Sequence, residues 1–589
     1  MSIGRIAAVA ALVSAASCGK PTPENHDHPA APLTGAAAAS SDAAPAVPDG
    51  YPADALGALR VEFSGGTPEA RAQFSRGLLA LHSFWYDEAT RRFAQAIEAD
   101  KTFSMAYWGL AMSHAKLLWG DDDQTAGRDA LTRMPGPNLL PPHDQAWVVA
   151  ALSLFRKANP DVATTRRDFL AVMEQVHARF PDDESATFLA LALISAIRPG
   201  DPEPVQLAAR KRAAGLAMEV FQRNPKHPGA AHYLIHADDT PELAALALPA
   251  AQQYATIAPA AFHARHMPAH IFVRLGMWKA AVTSCQAAWD ASVAWVARDK
   301  LSADHQDFHS LSWLIELSFE RGRRKDAERA ITIYADAIRS GLPHDKRAAY
   351  ANQVASILAR TGEWTRADKL LAPLQAPASD PPAGAGMACG HGPAASAVPG
   401  GPPGDLIERR SVLGTLAQAA AMRKDPAGLR QILDERDAVD ARLHPFLAAT
   451  QPADMVAGAD KLRGQVRDAL MARARGDDRA LVTALRPLAV DQDQEFVGEG
   501  TAGGLLHHEA IAEALVRLGD AKQAMGEYRF VLANHAGRAR ALLGAARAAA
   551  KLGDDAGSRE LYQKLLATWS EADDDTDGLA EARRAVPAR

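Results

Sequence analysis

The sequence predicts an all-α fold, a solenoid of helical hairpins with irregular repeats. Apolar residues recur at the helical period through most of the chain, and the alternation typical of strands is nearly absent. The segment that follows Thr67 has the pattern of two helices joined by a tight turn, with a third helix after it. Since a single hairpin leaves one apolar face uncovered, neighbouring hairpins are expected to stack into a continuous core.

A repeated turn motif indicates the type of hairpin. Gly519 and Gly553 lie 34 residues apart, and so do Tyr528 and Tyr562. A small residue follows a turn glycine after five positions in four places: Gly276 to Ala281, Gly322 to Ala327, Gly362 to Ala367 and Gly519 to Ala524. This pattern resembles the tetratricopeptide repeat, in which glycine ends the first helix and the small residue lets the paired helices approach. The central turn glycines are 46 and 40 residues apart, so the repeats are expected to be irregular.

Composition excludes two classes of protein. The 589 residues are 48% hydrophobic, which is enough to bury a large core, so the chain is not disordered throughout. The formal net charge of -6, with both signs interspersed, argues against a nucleic-acid binder, which needs a basic face. The sequence also lacks a phosphate-binding glycine loop, a serine nucleophile elbow and an HExxH zinc motif. The missing motifs make an enzyme less expected, and with nucleic acid disfavoured by the charge, a protein or peptide partner is predicted.

The first residues are typical of an export signal. Arg5 gives a minimal positive region, and residues 6–13 form an apolar stretch too short to span a bilayer. Residues 15–18 (AASC) resemble a bacterial lipobox, which implies a signal peptide of residues 1–17, acylation of Cys18 and attachment to a membrane surface of the bacterial cell envelope. Ala15 stands where leucine is usual, and ordinary cleavage, which leaves a periplasmic or secreted protein, is the alternative.

The rest of the chain divides by composition. Residues 18–50 are rich in Pro, Ala, Ser and Asp and are predicted to be a disordered tether. Residues 51–372 are predicted to form an N-terminal tetratricopeptide-like array, residues 373–405 a Gly/Pro-rich linker, and residues 406–589 a second tetratricopeptide-like array. Apart from Cys18 the chain has only Cys285 and Cys389, so a disulfide framework is not expected.

Two histidine-rich segments lie in the middle of the first array. Residues 227–236 read HPGAAHYLIH, and residues 263–271 read HARHMPAHI. They resemble a set of exported bacterial repeat proteins, with one eukaryotic relative, that share HPxxxHxxxH and HxxHMPxHI segments followed by a glycine turn. The resemblance covers residues 51–371 and implies a fold and a compartment, but no activity.

Helical spacing brings these histidines together. His263, His266 and His270 are at positions i, i+3 and i+7, which places them on one stripe of a helix. His309, in the next repeat, lies at the position equivalent to that of His263. His232 and His236 lie on the first helix of the preceding pair. For tetratricopeptide proteins, the resemblance implies that the first helix of each pair lines a concave wall. The ligand-binding groove implied in this way consists of His263, His266, His270, Arg274, His309 and Glu316.

The same histidines also fit a metal site. Imidazoles one turn apart, on adjacent helices, can converge on one transition-metal ion, with zinc or copper as the cofactor. This hypothesis assigns six ligands: His232, His236, His263, His266, His270 and His309. Two alternatives stay open, histidines that fill polar gaps in the helix packing and recognition of an anionic ligand by His and Arg.

Two functions follow from these patterns. The first is an envelope-located scaffold that binds a protein or small ligand in the histidine-lined groove, with or without a bound transition metal. The second is a metalloenzyme that uses the same cluster to activate water or oxygen, with Asp307 or Glu316 as a base.

Overall fold

Paired helices separated by the repeated glycine turns make up the computed structural model. It describes residues 51–379, 403–450, 453–495 and 506–586, apart from residues 53, 62, 120, 121, 156–160 and 199. These residues form α-helices and short 3-10 turns without a strand, so the predicted all-α fold is confirmed. The predicted signal peptide, the tether with Cys18 and residues 380–402 of the predicted linker lie outside the described residues.

The helices follow one another with short connections. Before the predicted linker they are α1 (Pro68–His82), α2 (Tyr86–Ala99), α3 (Ser104–Met112), α4 (Gln124–Thr132), α5 (Pro142–Phe155), α6 (Val162–Arg179), α7 (Asp183–Ser195), α8 (Glu203–Arg223), α9 (Pro228–Asp238), α10 (Ala244–Ile257), α11 (Phe262–His266), α12 (Pro268–Arg274), α13 (Trp278–Asp299), α14 (Phe308–Glu320), α15 (Arg324–Arg339), α16 (His344–Thr361) and α17 (Ala367–Leu371). After it they are α18 (Gly404–Met422), α19 (Pro426–Thr450), α20 (Ala453–Arg475), α21 (Asp478–Glu495), α22 (His507–Arg517), α23 (Ala521–Asn534), α24 (Ala539–Lys551), α25 (Asp555–Thr568) and α26 (Leu579–Ala585). Helix α18 packs directly against α16.

The glycine turns have the geometry that the repeat motif predicts. Gly276 and Gly519 follow the ends of α12 and α22 with φ of 70° and 85°, a left-handed conformation that glycine adopts without a steric penalty. The small residues five positions later, Ala281 and Ala524, are fully buried between the paired helices. A Cβ on Gly544 would lie 2.2 Å from the ring of Tyr528, so the aromatic residue of the motif fills the space against the next helix. The hairpins are therefore tetratricopeptide-like.

The C-terminal repeats fold back onto the turns of the N-terminal array. The indole N–H of Trp278 donates to the carbonyl of Gly537 at 3.1 Å, and the indole N–H of Trp569 donates to the carbonyl of Glu320 at 3.1 Å. A Cβ on Gly276 would lie 2.7 Å from a backbone carbonyl oxygen of the connection between α23 and α24. This close approach requires glycine and brings residues 535–539 against the edge of the first array.

A buried ion-pair network holds the two arrays together. The guanidinium of Arg538 donates to both carboxylate oxygens of Glu509, at 2.7 and 3.0 Å. Glu320 lies beside it and accepts from the guanidinium of Arg360 at 2.7 Å. Arg538 is 2% exposed, and the two glutamates are fully buried. Although burial opposes the charge, Glu509 and Glu320 raise the pKa of Arg538, so the charged form is retained.

The described helices include no candidate membrane span. Within the described ranges, none of the helices combines the length and the apolar character that a bilayer span requires.

A titratable contact joins three helices of the C-terminal array. His508 of α22 places Nδ1 2.6 Å from Glu527 of α23 and Nε2 3.0 Å from Asp493 of α21. Burial opposes protonation, but the hydrogen bonds to these carboxylates raise the pKa of His508 above its ordinary value. A histidine whose pKa rises on folding stabilises the fold below its unfolded pKa of about 6.5, and that contribution is lost as the pH rises through the folded pKa.

We therefore expect His508→Gln to destabilise the protein in a pH-dependent manner. The free energy of unfolding should fall by about 1 kcal/mol near pH 6, a value reduced for partial solvent screening, and the difference from the wild type should shrink in alkaline solution. Urea unfolding at two pH values measures this. An equal loss at both would show that the ring acts by packing alone.

Candidate metal centre

A first triad of imidazoles lies between α9 and α11. His232 and His236 are one turn apart on α9, and His263 is on α11. Nε2 of His232 lies 3.0 Å from Nε2 of His236 and 3.0 Å from Nε2 of His263. The three residues are at most 3% exposed. Three ring nitrogens therefore converge on one point in the interior, all within 4.8 Å of one another.

A second triad lies between α11, α12 and α14. Nε2 of His266 lies 3.1 Å from Nε2 of His270 and 3.1 Å from Nε2 of His309. His266 and His270 are each 1% exposed, whereas His309 is only partly buried. All six histidines that the sequence singled out as ligands thus belong to one of two triads.

The division into two triads corrects the prediction of a single stripe and one pocket. Pro268 has no backbone N–H, and the helix is interrupted at Met267, between α11 and α12. His263 contacts the histidines of α9, whereas His266 and His270 turn towards His309.

Five of these six histidine side chains lie inside the protein and not on an exposed groove surface. Aromatic rings cover them. The ring centre of Phe84, in the turn between α1 and α2, lies 4.3 Å from that of His232. The ring centre of Tyr254, on α10, lies 5.3 Å from that of His232. Trp313 of α14 lies 4.9 and 4.6 Å from His266 and His270, between ring centres. The sequence pattern of one repeat could not reveal rings contributed by distant helices.

Hydrogen bonds at Nδ1 fix the tautomers of the second triad. Nδ1 of His270 lies 3.0 Å from a carboxylate oxygen of Asp239, which only accepts, so this nitrogen carries the proton. Nδ1 of His266 lies 3.0 Å from the hydroxyl of Ser310, and that hydroxyl donates to Asp307, so His266 also donates from Nδ1. In the neutral rings both Nε2 atoms then carry lone pairs, and these face each other at 3.1 Å. Two facing lone pairs repel unless a cation lies between them.

In the first triad, His232 is oriented in the same way. Nδ1 of His232 donates to the backbone carbonyl of His82 at 2.6 Å, so its Nε2 also carries a lone pair. Outer hydrogen bonds of this kind orient metal-ligating histidines in proteins.

The spacing of the nitrogens fits a metal ion. Metal–nitrogen bonds of about 2.0–2.1 Å at tetrahedral angles place the nitrogens about 3.3 Å apart. The closest pairs in the two triads are 3.0 to 3.1 Å apart. Small outward movements of the rings would therefore complete either site.

The remaining predicted residues form contacts within the protein. Arg274 donates to Asp239 at 2.8 Å, and burial notwithstanding, Arg274 and His270 hold the pKa of Asp239 well below its usual range. Glu316 lies 3.4 Å from Arg360 in the buried ion-pair network. Asp307 begins α14 and accepts from the backbone N–H and the hydroxyl of Ser310. Asp307 and Glu316 thus belong to supporting contacts and not to the position of a free base, which corrects that prediction.

A third cluster was missed by sequence reasoning because its members are far apart in the chain. Glu184 lies 2.7 Å from Nε2 of His82 and 3.1 Å from Nε2 of His227. Nδ1 of His82 accepts from Tyr233, and Nδ1 of His227 accepts from the N–H of Ala230. Burial lowers the pKa of His82, although the Glu184 carboxylate opposes this shift. Both nitrogens of both rings are engaged, so the cluster holds His82 in place, and the carbonyl of His82 in turn orients His232.

We expect Asp239→Asn to weaken metal binding, because the amide loses the charge that orients His270 and interacts with Arg274. Loss of such an outer partner lowers metal affinity by about 10- to 100-fold. Asp238→Asn is the matched control, since Asp238 is equally buried but has no hydrogen bond to a ring of either triad. Competition with a chelator measures both affinities. Equal losses in the two variants would rule out this role of Asp239.

Comparisons with known proteins identify no family. No family model and no curated protein matches the chain. Among solved structures, one of Naa15/Naa10 bound to HypK-THB shares 12% identity at a TM-score of 0.21, covering 88% of this chain and 73% of that chain. A monomeric IFIT1 mutant with m7Gppp-AAAA shares 10% identity at a TM-score of 0.26, covering 86% of this chain and 92% of that chain. At these values neither similarity carries functional information.

Proposed function

We propose that the chain binds two transition-metal ions, one in each histidine triad, and that the ions are copper. The observation that carries this proposal is the pair of Nε2 atoms of His266 and His270, which face each other at 3.1 Å while both Nδ1 atoms donate elsewhere. A cation between them removes the repulsion of the lone pairs. His309 directs a third nitrogen to the same point.

A metal ion explains the arrangement better than a shared proton. One proton would satisfy a single pair of nitrogens, but each triad contains three. A protonated imidazole in the interior also carries a large desolvation penalty.

The choice of ligands favours copper. The triads contain imidazoles alone, without a carboxylate or thiolate among their members. Magnesium, calcium and manganese prefer oxygen ligands, and copper has the highest affinity for nitrogen ligands among the divalent first-row ions. Neutral ligands do not offset the charge of a buried ion, so monovalent Cu(I) has a smaller desolvation penalty than Zn²⁺.

Burial supports the metalloenzyme hypothesis over a groove for a macromolecule. Five of the six histidines are at most 3% exposed, so a protein or peptide could not touch them without unpacking the helices. Small molecules can approach from the side of His309, which is partly exposed. A protein or peptide partner stays a prediction.

Metal stoichiometry tests the proposal. Wild-type protein loaded with Cu(I) under anaerobic conditions and desalted should retain two copper ions per chain. The variants His232→Ala/His236→Ala and His266→Ala/His270→Ala should each retain one, and His508→Gln, whose ring is paired with carboxylates elsewhere, should retain two. Wild-type protein without copper, or triad variants that bind as much copper as the wild type, would refute the proposal.

We further propose that the protein works in the bacterial cell envelope, held by acylated Cys18. The supporting observation is the signal-like sequence before this cysteine. Cys18→Ser should shift the protein from the membrane fraction to the soluble periplasmic fraction. A wild-type protein found in the soluble fraction would contradict the anchor.

A further inference from the structure

The two triads adjoin each other directly. The ring centre of His263 lies 6.3 Å from that of His266, and the ring centre of His236 lies 6.4 Å from that of His270. The planes of His263 and His266 are 28° from parallel. Rings this close leave no room for another side chain between them. Ions held in the two triads would therefore be immediate neighbours.

Each ion would also have an open coordination position. The triads supply three nitrogens apiece, and their aromatic neighbours include Phe84 and Trp313, which are not metal ligands. Three protein ligands with an open position are typical of catalytic sites, whereas structural sites are closed. The fourth ligand would come from outside the protein.

We infer that this ligand is dioxygen, bound between two copper ions and reduced by both; the inference rests on the proposed function. Each Cu(I) gives one electron, so O2 becomes a dianion at the oxidation level of peroxide while both ions become Cu(II). Before the step, the two Cu(I) ions carry two positive charges. After it, the two Cu(II) ions carry four positive charges and the reduced oxygen carries two negative charges. The net charge of the buried site is unchanged, which avoids a further desolvation penalty in the interior.

Turnover requires a reductant that supplies two electrons and two protons. An enediol such as ascorbate becomes a diketone, returns both ions to Cu(I), and its protons release the reduced oxygen as hydrogen peroxide. The aromatic lining suits the entry of apolar dioxygen.

The backbone conformation of Phe84 supports a functional role for the first triad. Its φ of 51° is in the left-handed region, which is strained for a large aromatic residue. This conformation places its ring 4.3 Å from His232 and 5.6 Å from His263. The surrounding packing sustains a strained residue directly over the first triad.

Anaerobic loading followed by exposure to oxygen tests the inference. Wild-type protein with two Cu(I) should consume one O2 per two copper ions and give an oxidised form with at least tenfold less EPR signal than its copper content, because bridged Cu(II) ions couple magnetically. His232→Ala/His236→Ala and His266→Ala/His270→Ala should lose this rapid uptake and give a full EPR signal for one Cu(II).

The outcomes separate the two proposals. Two bound copper ions with a full EPR signal after oxidation would overturn the shared oxygen site but leave copper binding intact. Absence of bound copper would overturn the proposed function itself. The wild-type measurement decides between these results even if a variant does not fold.

Discussion

Copper is expected to raise the stability of the wild-type protein by about 5 kcal/mol near pH 7.5, when free Cu(I) is buffered a hundredfold above the dissociation constant of both sites. One site at this excess contributes about 2.7 kcal/mol, because the ion binds the folded chain and not the unfolded one. The triads contribute separately, since each has its own three ligands. Thermal unfolding at fixed free copper measures the effect.

The stabilisation should disappear on mild acidification. Imidazole binds metal only when neutral, and its ordinary pKa is about 6.5, so protons compete with copper below that pH. We expect the increase to be nearly lost around pH 5, and His266→Ala/His270→Ala to show about half of it at neutral pH. If melting curves with and without copper coincide at neutral pH, the histidines serve packing alone.

Arg538→Ala is expected to give the largest loss of stability among substitutions away from the triads, about 3–5 kcal/mol. The substitution leaves the buried carboxylate of Glu509 without the guanidinium that now donates to both of its oxygens. It also removes a cation beside Glu320, at the contact between the two arrays. Chemical denaturation followed by circular dichroism measures the change in the free energy of unfolding.

Two controls identify the cause. Arg538→Met combined with Glu509→Gln removes both charges and should recover most of the loss, since replacement of a whole buried ion pair is often neutral. Arg517→Ala removes a half-exposed ion pair with Asp478 and should change stability by less than about 1 kcal/mol. If Arg538→Ala behaves like Arg517→Ala, the network does not hold the arrays together.

The fold was predictable because its signals are local. A left-handed glycine followed by a buried alanine is a property of one hairpin, and Gly276 with Ala281 shows it in the sequence as in the structure. The histidines of the site could also be identified from local sequence, because the spacing of His232 and His236 places both on the same face of a helix. Periodicity therefore identified both the architecture and the six ring nitrogens that converge.

The arrangement of these rings was not predictable, because it depends on contacts between distant segments. Asp239 follows the first histidine segment by only three residues, and an acidic residue there could have indicated a partner for His270. Glu184 gave no such signal, since it meets His82 and His227 only through packing. The covering of the triads depends on residues from other helices and turns, such as Phe84 against His232.

Anomalous X-ray diffraction from a crystal loaded with copper tests the central claim most directly. Data collected above and below the copper absorption edge should show two peaks inside the protein, one about 2 Å from the Nε2 atoms of His232, His236 and His263, and one at the same distance from those of His266, His270 and His309. An interior without such peaks, or copper bound only at surface histidines such as His444, would contradict the claim that the two triads are a metal centre.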